Sequence, residues 1–421
     1  MNILDINYEK YFLANGLEVI LYKDTSLPLV AANIWYKAGS ANEQKGKTGI
    51  AHLFEHMMFQ GSKNVPKEMH FKYIQEAGGS LNGSTSFDRT NYYEKVPSNF
   101  LELILWLESD RMGFWLPALT QEKLDNQKDV VKNERLERYD NQPYGLAWEI
   151  LLKSLFADSH PYSWPTIGSL EDITGFTIED VTGFFNKFYS PSNACLVIAG
   201  DFDNGETKAL VEKYFGSIPG NKLENNILQT NDASLNENKF IVHKDNVQLE
   251  RLYLAWHSDK AYGEYDTDLD IFSDILSGSK NSRLYKSLVF EKEVAQDVMA
   301  YQFSGKLTGF FMLAATAKPG VELKYLKNEL LNEIEKVRNE GVYGEELTKS
   351  KNGVKSSFIY SLQNIDSIAD QINSYNFYLG EPNSFSTDLK RYEDVSNEGI
   401  IKSINTYLTK PFVELHIIPN N

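Results

Sequence analysis

The second half of this chain repeats the pattern of the first. Leu252-Tyr-Leu-Ala-Trp-His257 echoes the run Asn33-Ile-Trp-Tyr-Lys37, and the helical stretch from Asp268 to Leu276 stops at Gly278-Ser279 as an earlier helix stops at Gly61-Ser62. The closing segments echo as well: Phe185-Asn-Lys-Phe-Tyr-Ser-Pro191 precedes an apolar run from Ala194 to Ala199, and Ile404-Asn-Thr-Tyr-Leu-Thr-Lys-Pro411 precedes one from Phe412 to Ile418. Self-similarity at a period of roughly 200 residues means one supersecondary plan built twice. A single core would not suffice for 421 residues, since cores rarely grow beyond about 250 to 300. Polar, Asn-rich residues from 218 to 238 read as the exposed join. The expectation is an N-terminal domain over 1–217, a linker over 218–238 and a homologous C-terminal domain over 239–421.

Within the first copy, Tyr11 to Tyr22 reads as two strands around Gly16, and Val30 to Tyr36 as a third. A helix follows from Ile50 to about Gln60, stopped by Gly61 where a positive φ is needed. Next come an amphipathic helix from Pro66 to Ala77, a Gly78-Gly79 break, and a β-like stretch from Leu81 to Val96. Helical runs from Phe100 to Trp115 and from Thr120 to Tyr139 complete the series. Strands and helices interleave, and the expected fold class is α+β.

Composition narrows the chemistry. Cys195 is the single cysteine, so neither an intramolecular disulfide nor a cysteine-based zinc site is available, and its apolar setting Ala194-Cys-Leu-Val-Ile-Ala199 suits a small core side chain. A formal charge of −16 argues against a nucleic-acid partner, which would need clustered Lys and Arg. No apolar run of about 18 residues offers a membrane span. The opening Met1-Asn-Ile-Leu-Asp-Ile-Asn-Tyr-Glu has no basic segment leading into an apolar one, so a cytoplasmic location is expected.

His52-Leu-Phe-Glu-His56 lies on the expected helix from Ile50. Imidazoles at i and i+4 share a helix face and can share a zinc ion, and Glu55 stands beside them on that face. Zinc hydrolysis needs a water of lowered pKa and a carboxylate to take its proton, so Glu55 is the candidate general base. The order is the reverse of the commoner His-Glu-x-x-His. Two histidines under-coordinate zinc, so a third ligand must come from elsewhere. Within Asp129-Val-Val-Lys-Asn-Glu-Arg-Leu-Glu-Arg138 both Glu134 and Glu137, one turn on, are candidates. The bland alternative is a solvated helix face that happens to carry these residues. His70, His160, His243, His257 and His416 lack ligand spacing and read as ordinary surface or core histidines. Aligned on the glycines, the second copy offers Leu269, Phe272 and Ser273 opposite His52, Glu55 and His56, so only the first copy could hold a metal.

These residues resemble the pitrilysin-type peptidases, the inverzincin family of insulin-degrading enzyme, the mitochondrial processing peptidase and shorter bacterial relatives. The resemblance runs through Ala38-Gly-Ser-Ala-Asn-Glu43, Gly49-Ile-Ala-His-Leu-Phe-Glu-His-Met-Met-Phe-Gln-Gly-Ser62, Gly78-Gly-Ser-Leu-Asn-Gly-Ser-Thr85, Val130-Val-Lys-Asn-Glu134 and Ser190-Pro-Ser-Asn-Ala-Cys-Leu-Val-Ile-Ala-Gly-Asp201, and more loosely through the second half. It implies two homologous α/β-sandwich domains, each a mixed, largely antiparallel sheet with helices packed on it, together forming half of a clamshell. It implies a zinc endopeptidase that cleaves unfolded peptides in a closed chamber, with His52, His56 and Glu134 as metal ligands and Glu55 as base. Asn82, Gly83, Ser84 and Thr85 match the edge strand to which relatives add an extended substrate. Relatives often carry a bulky residue where Ser84 stands. Gln127 stands where many relatives have an auxiliary Glu, seven residues before the third ligand; its amide can orient a neighbour but carries no charge.

Single-chain relatives also carry an Arg and, seven residues on, a Tyr that steady the oxyanion. Here Val289 and Gln296 occupy those positions, with Arg283 and Tyr285 out of register. The resemblance therefore implies a hetero-oligomer in which a homologous partner supplies the Arg/Tyr pair. The competing reading is a non-catalytic assembly or scaffold subunit that keeps the peptidase fold.

Overall fold

The computed structural model describes residues 5–221 and 235–420. The chain folds as two compact units. Among the described residues, one comprises residues 5–135, 165–221 and 359–386, the other residues 136–164, 235–358 and 387–420. This division differs from the expected sequential one. Residues 136–164 leave the first half and 359–386 leave the second, because each carries a helix that covers the other half's sheet. The expected linker over 218–238 falls largely on residues 222–234, which lie outside the described residues.

The first unit is built on a six-stranded sheet of β1 (Tyr8–Phe12), β2 (Glu18–Lys23), β3 (Leu29–Tyr36), β4 (Ser80–Thr85), β5 (Thr90–Pro97) and β6 (Ala194–Gly200), ordered β1-β2-β6-β3-β5-β4. Only β2 and β6 run parallel. The stretch read as one β segment from Leu81 is the hairpin β4–β5. Packed on one face are α1 (Ile50–Met57), α2 (Met69–Glu76) and α3 (Leu101–Phe114). The other face receives the helix Ile365–Leu379. Alternation along β3 explains the division: Ile34 and Tyr36 point into the core under the first set, whereas Asn33 and Trp35 point to the second. There Asp370 accepts hydrogen bonds from Asn33 Nδ2 (3.0 Å), Trp35 Nε1 (2.9 Å) and Asn91 Nδ2 (2.9 Å).

The second unit has a five-stranded sheet of β7 (Lys239–Asp245), β8 (Arg251–Ser258), β9 (Ala295–Ser304), β10 (Gly309–Ala317) and β11 (Val413–Pro419), ordered β7-β11-β8-β10-β9. Only β7 and β11 run parallel. Without β1, the first sheet has this same order and these same strand directions, so the repeat seen in sequence is a repeat of topology. The α+β class with two mixed sheets and packed helices holds. Leu269 and Phe272, opposite His52 and Glu55, are fully buried on the helix Asp266–Ser277 and serve the core.

Within this unit α5 (Ala147–Leu155) packs on β8 and β11. Beyond its C-terminus His160 stacks on Phe156 at 4.6 Å, and His257 Nε2 lies 2.8 Å from the Leu155 carbonyl oxygen. Burial pushes both imidazoles down to about 4. An unfolded chain takes these protons at about pH 6.5, so the histidine contribution is complete above that pH and is lost as pH falls toward 4, by at most about 3 kcal/mol for each. Asp268 and Asp270, pushed by burial up to about 6, slope the opposite way over part of the range. The prediction is therefore differential: urea unfolding at pH 7.5 and pH 4.5 should show a smaller acid-side loss in a His160→Gln/His257→Gln double variant than in the parent. Equal losses would refute it. No helix among the described residues is long and apolar enough to cross a membrane.

Candidate metal centre

The helix α1 is held at both ends. Its first-turn N–H groups have no partner within the helix, and Glu43 satisfies two of them, with Oε2 accepting from Gly49 N and Oε1 from Ala51 N, each at 2.9 Å. Gly49 is required at the entry: it sits at φ +91°, and a Cβ there would lie 2.4 Å from the Ile167 carbonyl oxygen. At the other end Trp115 Nε1 donates to the Met57 carbonyl at 3.1 Å. Between these anchors Ile50, Ala51, Leu53, Phe54 and Met57 are buried, with Phe54 against Trp115 and Tyr189. The helical period then leaves His52, Glu55 and His56 together on the half-buried opposite side. The helix ends at Met57, earlier than expected, and Gly61 adopts φ +89° beyond the following turn.

The facing carboxylate comes from α4 (Gln121–Arg135), which packs against α1. Leu124, Gln127, Val131 and Arg135 form its buried stripe, and Arg135 donates to the Gly168 carbonyl. Glu134, the penultimate residue, places Oε2 at 3.2 Å from His56 Nε2 and 3.8 Å from His52 Nε2. The two imidazoles meet edge to face with centroids 4.8 Å apart. One ligand atom from each of the three residues lies within 4.8 Å of the others. Ligands at about 2.0–2.1 Å from a tetrahedral zinc are separated by roughly 3.3–3.4 Å, so this donor set fits such an ion with small adjustments. Glu137 is exposed, in the π turn Leu136–Asp140 beyond the helix. Gln127 is buried on the stripe, its amide nitrogen donating to Asn126 Oδ1 at 2.9 Å.

Glu55 is oriented from the sheet. Thr85 Oγ1 donates to its Oε2 at 2.5 Å. Burial pushes the Glu55 carboxyl above the usual range; the Thr85 hydrogen bond and the charges of His56 and Arg89 pull it back, while Glu134 adds to the rise. Of the expected substrate strand, β4 does form an edge of its sheet. Its side chains alternate: Gly83 and Thr85 face Glu55, whereas Ser84 faces away and donates to Asn91 Oδ1 at 2.7 Å. Asn82 is exposed.

A second group of metal-type donors went unread in the sequence. His70 on α2, Glu94 on β5 and Glu108 on α3 are fully buried, with His70 Nε2 at 3.4 Å from Glu94 Oε1 and 3.9 Å from Glu108 Oε1. Arg111 lies among them, bonded to Glu108 and 3.4 Å from Glu94, its guanidinium 4.1 Å from the Tyr92 ring. Burial and the neighbouring Glu108 push Glu94 well up, and burial with the Arg111 charge holds His70 well down. The arginine already supplies the positive charge, so this is a buried ion cluster. The available signal was the charge run Glu108-Ser-Asp-Arg111 inside an apolar helix.

In the second unit Arg283 is committed to salt bridges, with Nη2 at 2.8 Å from Glu346 Oε2 and Nη1 at 3.2 Å from Glu333 Oε1. Val289 packs against the core and Gln296 is exposed on β9.

Two family descriptions match the chain: "Insulinase (Peptidase family M16)" over residues 18–164 and "Peptidase M16 inactive domain" over residues 175–354. Among curated relatives the chain is similar to the zinc protease PqqE of Helicobacter pylori, at 28% identity over 95% of this chain and 90% of that protein. It is also similar to the uncharacterized zinc protease YmxG of Bacillus subtilis, at 24% identity over 98% of each. The crystal structure of a protease from Helicobacter pylori superposes with a TM-score of 0.91 at 27% identity, covering 99% of this chain and 100% of that one.

Proposed function

Because the chain belongs to the pitrilysin-type M16 peptidase family, we propose that it is a zinc-dependent endopeptidase acting on unfolded peptides within a closed chamber. The observation that carries this reading is the convergence of His52, His56 and Glu134, with Glu55 on the same helix face as the histidines. His52 and His56 Nε2 and the Glu134 carboxylate would hold the ion. A bound zinc supplies Lewis-acid chemistry, lowering the pKa of water and polarising a scissile carbonyl. Glu55 takes the proton of the attacking water and passes it to the leaving amine, a role suited to a carboxylate that Thr85 orients on the same helix face as the two histidines. An extended peptide adds to the open edge of β4, where main-chain bonding reads backbone more than side chains.

The partner-dependent form of this reading rests on the second unit. Val289 and Gln296 offer no cationic or phenolic group for an oxyanion, and Arg283 is tied to Glu346 and Glu333. A homologous subunit would supply the Arg/Tyr pair. The alternative, a scaffold subunit without catalysis, draws on the "inactive domain" match over 175–354.

The test uses the full chain, alone and mixed with a homologous candidate partner, on an unstructured fluorogenic peptide. Cleavage should require the mixture, disappear on chelation and return with zinc. Full activity of the isolated chain would remove the partner requirement. A mixture that binds zinc and cleaves nothing would favour the scaffold.

A further inference from the structure

The edge strand β4 presents two things at once. Ser86 N–H donates to the Arg89 carbonyl at 2.8 Å and closes the β4–β5 hairpin. Antiparallel alternation then turns the backbone groups of Ser84 toward its partner Asn91, and those of Leu81, Gly83 and Thr85 toward the open edge. Consistently, the Gly83 N–H finds the Asn82 side-chain oxygen at 2.9 Å in place of a neighbouring strand. The Cβ direction of Gly83 and the Thr85 side chain point toward α1. At Gly83 that direction is clear only because no side chain is there: a Cβ would lie 3.3 Å from Glu55 Cγ and 3.2 Å from Tyr92 Cδ1. At Thr85 it is filled by the hydroxyl that donates to Glu55.

We propose that Thr85 is a positioning residue: its hydroxyl fixes the Glu55 carboxylate, so that the strand whose outer edge takes the peptide also sets the orientation of the base. This deepens the endopeptidase reading and rests on it. It differs from a role for the Thr85 side chain in holding substrate, because that side chain is spent on Glu55 and only its backbone faces the edge. Peptide docking and proton abstraction are then referred to one rigid element. A peptide bound out of register is misplaced relative to Glu55 as well as to the metal ligands.

Two substitutions separate the hydroxyl from the shape of the residue. Thr85→Val keeps the volume and removes the donor; Thr85→Ser keeps the donor. With the zinc-loaded protein and its partner, Thr85→Val should lower kcat about 10- to 100-fold, the span of one charge-assisted hydrogen bond, with KM within about threefold. Zinc stoichiometry should be unchanged, and Thr85→Ser should stay within about threefold of the parent in kcat. An unchanged kcat in Thr85→Val overturns the proposal. So does a rise in KM alone, which would mean substrate contact, or a Thr85→Ser variant as impaired as Thr85→Val.

A second readout needs no catalysis. Thermal unfolding of Thr85→Val should show a lowered Tm in the Glu55 background and no further shift in a Glu55→Ala background, since interacting residues are non-additive. Additive shifts overturn the proposal even if the parent protein cleaves nothing. That last result by itself would count against the endopeptidase reading alone.

Discussion

Glu55→Gln is expected to silence peptide cleavage by about 10²- to 10⁴-fold, the usual worth of a general base, while leaving zinc bound. The substitution keeps the shape of the side chain and its place beside Thr85, but an amide cannot take a proton from water at neutral pH. Because the donor atoms of His52, His56 and Glu134 converge independently of Glu55, metal analysis of the variant should return the parent stoichiometry. His56→Ala is the control, since it removes a ligand and should lower both metal content and activity. Glu55→Gln with undiminished turnover would mean that the base lies elsewhere. Loss of zinc in that variant would mean that the carboxylate belongs to the ligand set.

Arg111→Leu is expected to destabilise the protein by about 3–5 kcal/mol, the cost of leaving a buried charge uncompensated. Glu94 and Glu108 sit at 1% and 0% exposure, and the guanidinium is the charge that both contact. Glu94→Gln should be much milder. Burial and the Glu108 carboxylate push the Glu94 carboxyl well up, and Gln keeps its shape while removing the ionisable group. Urea unfolding of the two variants measures the contrast. An Arg111→Leu loss below about 1 kcal/mol, no more than an exposed ion pair is worth, would show the cluster to be solvated and the charge balance unimportant.

The chemistry of the site was more legible than its framework. His52, Glu55 and His56 lie within one helical turn, so their common face follows from the 3.6-residue period alone. Glu134 comes from another helix 78 residues beyond His56. Periodicity does not report which of two carboxylates one turn apart faces a distant pair; resemblance made that choice, and Glu134 Oε2 lies 3.2 Å from His56 Nε2. The repeat was readable because each copy keeps its strand and helix punctuation. The exchange of residues 136–164 and 359–386 was not. An amphipathic helix such as Ile365–Leu379 shows that it needs an apolar surface, without showing which sheet provides it. The polar anchors of that helix, Asn33, Trp35 and Asn91 converging on Asp370, are spread over some 340 residues of chain and leave no local pattern. The resemblance places Thr85 on a substrate-binding strand; its bond to Glu55 depends on which side of the pleat it occupies relative to α1.

The covering of the first sheet by Ile365–Leu379 has a consequence for synthesis. Its last strand, β6, ends at Gly200, and the covering helix begins at Ile365. At a ribosomal pace of about 5–20 residues per second, roughly ten to thirty seconds pass between the two. Throughout that interval one side of a finished sheet has emerged without its cover, which arrives only after most of the second half has been made.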